Sequence, residues 1–300
     1  MRVWVYLPLL LSMLVPVAAA RMARLLRPTA AVRIATTGVT VAALACTCSL
    51  TLLSLTLFDD LPPLSAFDDR PELGLPEPVP DWLGLIAVSL LVTGLIRLVR
   101  ELVRRRRVVH ELQAIGSPYA GLAVADLPEP FAAAIPGRPG HVLVTSGMLR
   151  LLTSAERQVL LAHEQSHLER RHHRVVAIAA CSAAMNPLLS KLSTLVTYLV
   201  ERAADEDAAA KVGDRTVVAR AVAKASLAGP GGPAPALGLH GSNAVERVTA
   251  IAAPQAPNRW RATTGVVGLS VVQLLVCAVA IEKFTTLAGT WLGQLVDAGR

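Results

Sequence analysis

Leu161-Ala-His-Glu-Gln-Ser-His167 places two histidines four positions apart, with a glutamate directly after the first. Residues four apart lie on one face of an α-helix, so both imidazoles can bind one metal ion if this segment is helical. Glu164 then lies beside that ion, where its carboxylate can accept a proton from water. Upstream, Thr153-Ser-Ala-Glu156 has the capping-box pattern that begins a helix. The sequence therefore predicts a metal site with His163 and His167 as ligands and Glu164 as general base.

A catalytic zinc site needs a third protein ligand and an open position. The candidates downstream of the motif are His172, His173, Glu201, Asp205, Glu206, Asp207 and His240. Glu201 and Asp205 are four apart, so one can bind the metal while the other accepts the free N–H of a ligating histidine. The competing interpretation is a surface helix with acids at helical spacing. His172 and His173 follow His167 too closely to bend back to the metal, and we expect them in a solvated basic patch.

An apolar stretch, residues 175–200, separates the motif from Glu201. It is long enough to cross a membrane, which would put His163 and Glu201 on opposite sides. Asn186-Pro187 interrupts it near the middle, and proline breaks helices. Each arm is then about 12 residues long, too short to span a bilayer. We predict an apolar helical hairpin over 175–200 that packs on the protein or dips into the bilayer surface and returns Glu201 to the side of His167.

Composition indicates an integral-membrane protein. Of 300 residues, 53% are hydrophobic and 17% are charged, against about 25% charged in typical soluble domains. Four apolar segments, residues 3–20, 34–58, 82–99 and 262–281, are each about the 20 residues that a membrane-spanning helix needs. The first can also be read as a cleaved signal peptide, because Ala18-Ala19-Ala20 resembles a cleavage site. The four cysteines lie in apolar stretches without a CxxC pair, which indicates neither a disulfide framework nor a cysteine metal site.

Charge predicts the orientation in the cell membrane. Loop 21–33 has four arginines and no acid, loop 59–81 has seven acids against Arg70, and segment 97–107 has six arginines. Positively charged loops stay in the cytoplasm, so we expect the acidic loop and both termini outside. The run Arg104–Arg107 adjoins a membrane segment, where anionic lipid is the expected partner. We expect no direct nucleic-acid binding despite the net charge of +7.

The predicted fold is mainly α, with four transmembrane helices and a cytoplasmic metallopeptidase domain that contains a small β-sheet. Residues 1–103 hold three transmembrane helices with the extracellular acidic loop 59–81. Residues 104–260 form the domain, 261–285 the fourth transmembrane helix and 286–300 a short extracellular tail. The alternation of apolar runs and turns predicts strands at Gly121–Ala125, Phe131–Ile135 and His141–Thr145. We expect the last to be an edge strand that can hold an extended substrate by strand addition.

These residues together resemble integral-membrane zinc metallopeptidases of the gluzincin type. Two related groups are similar, the HtpX and CAAX prenyl protease family and the BlaR/MecR antirepressor family. The likeness runs from about residue 142 to 251, and its matching elements are His141–Leu149, Leu161–His167, Asn186-Pro187 and Glu201-x-x-x-Asp205. The Asn-Pro break and the compact ligand spacing favour the BlaR/MecR group. The sensors of that group carry a large extracellular penicillin-binding domain after the fourth span, whereas only residues 285–300 follow that span in this sequence, so we expect no β-lactam sensing through such a domain.

The resemblance implies roles for particular residues. His163, His167 and Glu201 would bind one zinc ion per chain, Glu164 would be the general base, and Asp205 would support a ligand. Glu246-Arg247-Val248 resembles an arginine-containing segment of these families. Arg247 or His240 would then contact the substrate or the oxyanion.

The function predicted from the sequence is a membrane-embedded zinc endopeptidase that cleaves a protein at the cytoplasmic membrane face. Regulatory proteolysis of a cytosolic transcriptional repressor is the leading interpretation, and HtpX-like quality control of membrane proteins is the alternative. A non-catalytic metal-binding receptor or scaffold is the alternative of another class, but a structural metal site has no need of Glu164. A transporter is less favoured because the apolar spans lack the acids and histidines that transport pathways use.

Overall fold

The computed structural model describes residues 2–23, 25–55, 57, 80–228, 244–253 and 261–298. Within them the chain is mainly helical with one three-stranded sheet, as predicted. The elements, in chain order, are α1 (Arg2–Ala23), α2 (Pro28–Leu55), α3 (Asp81–Gln113), β1 (Leu122–Ala125), β2 (Ala132–Ile135), β3 (His141–Thr145), α4 (Ser146–Leu151), α5 (Ser154–Glu169), α6 (His172–Met185), a 3₁₀ turn (Pro187–Leu189), α7 (Ser190–Val212), α8 (Arg215–Leu227), α9 (Ala244–Ala252) and α10 (Arg261–Ala298).

Three helices in the described part of the chain are long and apolar enough to cross a membrane. They are Pro28–Leu55, Asp81–Gln113 and the Val267–Thr286 portion of α10. The first predicted span is helical, but its apolar part, Tyr6–Arg21, is shorter, so the count of four spans stays a prediction. Most of the acidic loop, residues 59–79, lies outside the described residues. Helix α10 continues to Ala298, through the predicted tail, and the extracellular position of that tail stays a prediction.

Helix α3 connects the apolar helices to the sheet. It has 33 residues, and its N-terminal part exposes large apolar side chains such as Trp82, Leu85 and Leu90. Near its C-terminus, Leu112 is buried among residues of the sheet and its loops, including Leu143 in β3 and Phe131 just before β2. One continuous helix thus fixes the distance between the apolar part of the molecule and the sheet.

The three predicted strands are confirmed to within one residue, but the predicted edge strand is wrong. The strand order is β1-β3-β2, with β1 parallel and β2 antiparallel to β3. His141–Thr145 is therefore the central strand, and both of its edges are already paired. The sheet packs on α5 mainly through β2, and all four residues of β2 are buried.

The helix that carries the motif begins as predicted. The Thr153 side chain accepts a hydrogen bond from the Glu156 N–H, and the Glu156 carboxylate accepts one from the Thr153 N–H. Glu156 also accepts a hydrogen bond of 2.7 Å from Lys224 Nζ, which joins the start of α5 to α8. After α5, Arg171 adopts a left-handed backbone conformation with φ of 53°. The chain therefore turns sharply and starts α6 at His172.

Helices α6 and α7 are joined at the predicted break, Asn186-Pro187. Helix α6 ends at Met185, and the Asn186 side chain accepts a hydrogen bond from the Leu188 N–H, which stabilises the turn. Helix α7 runs without interruption from the apolar arm through Glu201 and Asp205. The buried face of α7, including Leu192 and Val196, packs in one cluster with residues of α1 and α2.

Candidate metal centre

Helices α5 and α7 bring three potential ligands to one point. The Nε2 atoms of His163 and His167 are 3.1 Å apart. The Glu201 carboxylate oxygens lie 3.5 Å from His163 Nε2 and 3.4 Å from His167 Nε2. His167 and Glu201 are buried, and the His163 side chain is 12% exposed. The helical spacing of the motif and the hairpin between α6 and α7 together produce this convergence.

The spacing of these three donor atoms fits a tetrahedral zinc ion. With bonds of about 2.0–2.1 Å, tetrahedral ligand atoms are about 3.3 Å apart, close to the three distances above. Glu201 Oε1 is buried and accepts no hydrogen bond among the described residues, so an acceptor is available for a cation. Two imidazole nitrogens and one carboxylate oxygen are a donor set that suits zinc. Three ligands leave a fourth position open.

Asp205 holds the first histidine of the motif. Its Oδ1 lies 3.0 Å from His163 Nδ1, on the side of the ring opposite the ligand atom. Burial lowers the pKa of His163, but the hydrogen bonds to Asp205 and Glu201 outweigh it and raise that pKa to about 10. In the metal-free site His163 is therefore protonated on both ring nitrogens and positively charged, and a metal ion has to displace the proton on the ligand nitrogen.

Arg247 in α9 contacts the carboxylates of this site. Its Nε and Nη2 donate hydrogen bonds of 2.8 and 2.7 Å to the two Asp205 oxygens, and Nη1 is 3.0 Å from Glu201 Oε2. Burial alone would raise the pKa of Glu201, but the Arg247 charge and the two imidazoles hold it well below its usual value. Arg247 was expected at the substrate or oxyanion, and here it is bound to the carboxylates. His240, the other residue predicted there, lies outside the described residues.

His172 does not lie in a solvated patch, which corrects the prediction. It is 3% exposed, and its Nδ1 lies 3.0 Å from His167 Nδ1. Burial, with the His167 charge second, lowers the pKa of His172 to about 3, so its imidazole is neutral. His173, the next residue, is only half-buried. The sequence signal was present in the histidine five positions after the motif, but only the left-handed turn at Arg171 makes the contact possible.

The other acids considered as ligands have partners elsewhere. Glu206 binds Arg215 through two hydrogen bonds of 2.8 and 2.9 Å. Asp207 accepts hydrogen bonds from Ser166 and Arg170, which tie α7 to α5. Glu164, next to the first histidine, is buried and has no hydrogen bond or ion pair to another described side chain. Its carboxylate is therefore free to act on a water molecule or a substrate.

Comparison with known proteins agrees with this arrangement. Residues 99–225 match the family model described as Peptidase family M48. That stretch is less than half of the chain, contains α5 and the Glu201–Asp205 pair, and ends before Arg247. This match, the relative described below and the ligand geometry support a membrane-type M48 metallopeptidase and do not separate the BlaR/MecR type from the HtpX type.

A curated relative is the Protease HtpX homolog of Pelotomaculum thermopropionicum. The two chains are 35% identical over 101 residues, which is 33% of this chain and 33% of the relative. The match therefore spans about a third of the length of the relative. No solved structure matches the chain.

Proposed function

We propose that this protein is a membrane-embedded zinc endopeptidase that cleaves a protein substrate at the cytoplasmic membrane face. The observation that carries the proposal is the convergence of His163, His167 and Glu201 at tetrahedral spacing. Glu164 adjoins His163 and has no hydrogen bond or ion pair to another side chain in the described part of the chain. The match to Peptidase family M48 supports the same chemistry. A structural metal site in a scaffold or receptor would leave the buried Glu164 carboxylate without a role.

The residues of the chain divide the work of peptide hydrolysis. A bound zinc ion supplies Lewis acidity toward the scissile carbonyl and the attacking water. Glu164 accepts a proton from that water and passes it to the leaving amine. Asp205 fixes the orientation of His163. Arg247 holds Asp205 and Glu201 in place and offsets their charge in the buried site.

The depth of the hairpin supports a site at the membrane face. A Cβ on Gly94, five positions before the end of the apolar segment 82–99 of α3, would lie 3.0 Å from the Met185 carbonyl at the end of α6. The hairpin turn therefore lies at the level of the apolar part of α3. Glu201 lies 11 positions after Ser190, the first residue of α7, which is about 16 Å along the helix. If α3 spans the bilayer, the metal site lies beyond the hydrocarbon, close to the membrane face.

Orientation is part of the proposal and has its own test. The arginines of segment 97–107 favour a cytoplasmic position for the domain. A reporter that functions only in the cytoplasm should be active when inserted at Gly116, in the loop after α3, and inactive at the C-terminus. Activity at the C-terminus would contradict the four-span arrangement with both termini outside.

Two substrate classes follow from the two family likenesses. The resemblance to BlaR/MecR antirepressors favours regulatory cleavage of a cytosolic transcriptional repressor. The similarity to a Protease HtpX homolog favours the alternative, general proteolysis of membrane proteins in quality control. The two differ in breadth, because a regulator cuts one or few proteins. Comparing new N-termini in cells that express the wild type or Glu164→Gln separates them, since a broad set of membrane-protein fragments would exclude the regulatory role.

The peptidase proposal is tested by separating metal binding from catalysis. We expect about one zinc ion per chain, the number for a mononuclear site. Glu164→Gln should keep zinc and lose cleavage, because it removes the base and not a ligand. Glu201→Ala should lose most of the zinc. Full cleavage by Glu164→Gln would exclude the mechanism, and full zinc content in Glu201→Ala would exclude the third ligand.

A further inference from the structure

His172 is a buried group that the proposed chemistry does not use. Its ring meets the ring of His167 edge-on, with centroids 4.9 Å apart and planes at 75°. The Nδ1 atoms of the two rings are 3.0 Å apart, within hydrogen-bond distance. We propose that His172 is a positioning residue that accepts a hydrogen bond from His167 Nδ1–H and thereby fixes the ligand nitrogen of His167 toward the metal.

The assignment of the proton follows from the geometry around His167. Its Nε2 faces His163 Nε2 at 3.1 Å and the Glu201 carboxylate at 3.4 Å, so Nε2 is the atom that would bind a metal. A ligating imidazole is neutral and carries its single proton on the other nitrogen, here Nδ1. Because His167 Nδ1 donates, the facing His172 Nδ1 must accept. His172 therefore carries its own proton on Nε2.

The two motif histidines are thus held by different acceptors. Asp205, a carboxylate, orients His163, and neutral His172 orients His167. The charges explain why a neutral group suits the second position. Glu164, Glu201 and Asp205 bring three negative charges, and Arg247 with a divalent metal brings three positive ones. A second carboxylate in place of His172 would leave a net negative charge in a buried site, which is costly.

The backbone puts His172 at this position at some energetic cost. On a continuous helix, residue 172 would lie about 140° around the axis from His167, since each residue turns by 100°. Arg171 instead adopts φ of 53°, a left-handed conformation that is unfavourable for a residue other than glycine. The turn redirects the chain so that the first residue of α6 faces the end of α5. The cost is consistent with a local structure retained for its effect on His167.

The inference rests on the metal site of the proposed function but is tested without measuring proteolysis. His172→Asn places an amide oxygen near the position of Nδ1 and keeps the acceptor, whereas His172→Gln carries its amide one bond further and does not. His173→Gln is the matched control at the neighbouring residue. Zinc affinity of the purified full chain is measured by competition with a chromophoric chelator, with circular dichroism as the check of folding.

We expect His172→Gln to lower zinc affinity about 10- to 100-fold, the usual effect of losing a partner of a ligating histidine. His172→Asn should stay within about threefold of the wild type, and His173→Gln should not change. Equal losses in the Asn and Gln variants, or no loss in either, would overturn the positioning role. If neither variant folds, neither can give the absorption spectrum of a cobalt-substituted wild-type site. His172 then has only a structural role, and the positioning role is overturned. A wild type that binds no zinc would overturn both this inference and the proposed function. The cleavage activity of the variants bears only on the peptidase proposal.

Discussion

Arg247→Met removes the positive charge that joins α9 to the two carboxylates of α7, and it keeps most of the apolar stem. In the metal-free protein this change leaves two buried carboxylates, Asp205 and Glu201, with protonated His163 as the one cation still in contact with both among the described residues. Asp205 is fully buried, and the Arg247 side chain is 12% exposed, so solvent screens these contacts little. We therefore expect a large loss of stability that depends on the metal.

The magnitude follows from the contacts. Removing one partner of a buried ion pair costs about 3–5 kcal/mol, because the other charge stays buried and unpaired. We expect about 4 kcal/mol in the metal-free state. With zinc bound, a divalent ion replaces the single charge of protonated His163 beside Glu201, so the expected loss is smaller, about 2 kcal/mol. At about 2–4 °C per kcal/mol for a chain of this size, Tm falls by about 8–16 °C without zinc and about half as much with it.

Thermal unfolding followed by circular dichroism, with and without chelator, measures both values in detergent. Arg220→Met, at an exposed arginine of α8, is the matched control and should change Tm by less than about 1 °C in either state. An equal loss of Tm in both metal states would refute the idea that Arg247 serves as the counter-charge of Glu201. A loss below about 3 °C would refute the buried ion pair itself.

Two further predictions concern the support of the site. Gly147→Ala would put a Cβ 2.0 Å from the Pro128 carbonyl oxygen, and we expect it to destabilise the domain by about 1–3 kcal/mol. Gly268→Ala in α10 is the control, because nothing lies within 4 Å of that position. An unchanged Tm for Gly147→Ala would contradict the packing described. Burial raises the pKa of Asp207, but Arg170 and Ser166 outweigh it and lower that pKa below its usual value. The ionised form thus contributes stability above pH about 4 that is lost as the pH falls. Asp207→Asn should cost about 1 kcal/mol at pH 7, discounted because Arg170 is partly exposed. The difference from the wild type should shrink steadily as the pH falls below about 4, and a difference that does not change with pH would show that the charge is not its source.

Features with a local cause could be predicted from the sequence. The capping box at Thr153, the strand bounds and the break at Asn186 each depend on a few neighbouring residues. The same holds for the helix that brings His163 and His167 to one face. The position of Glu201 beside His163 and His167 could be predicted as well, because a hairpin with two arms of equal length returns its far end to the level at which the first arm began.

Features with a tertiary cause could not be predicted. The central position of His141–Thr145 depends on strand order, which the apolar pattern does not encode. The burial of His172 depends on the left-handed conformation of one residue, Arg171, whose side chain gives no sign of it. Arg247 reaches Asp205 from a helix 42 positions away along the chain, and nothing in its own segment identifies that partner.

Because α7 is continuous, a tilt at its apolar end displaces the residues at its other end. Its apolar arm lies among α1 and α2, and its other half carries Glu201 and Asp205. A pivot of about 5° at the hairpin turn moves Glu201 by about 1.4 Å, since 11 residues span about 16 Å. Zinc coordination tolerates deviations of only about 0.2 Å. The tilt of α7 among its apolar neighbours therefore sets whether the third ligand is within reach of the two histidines. If these helices span a bilayer, that tilt depends on the thickness of the bilayer around them.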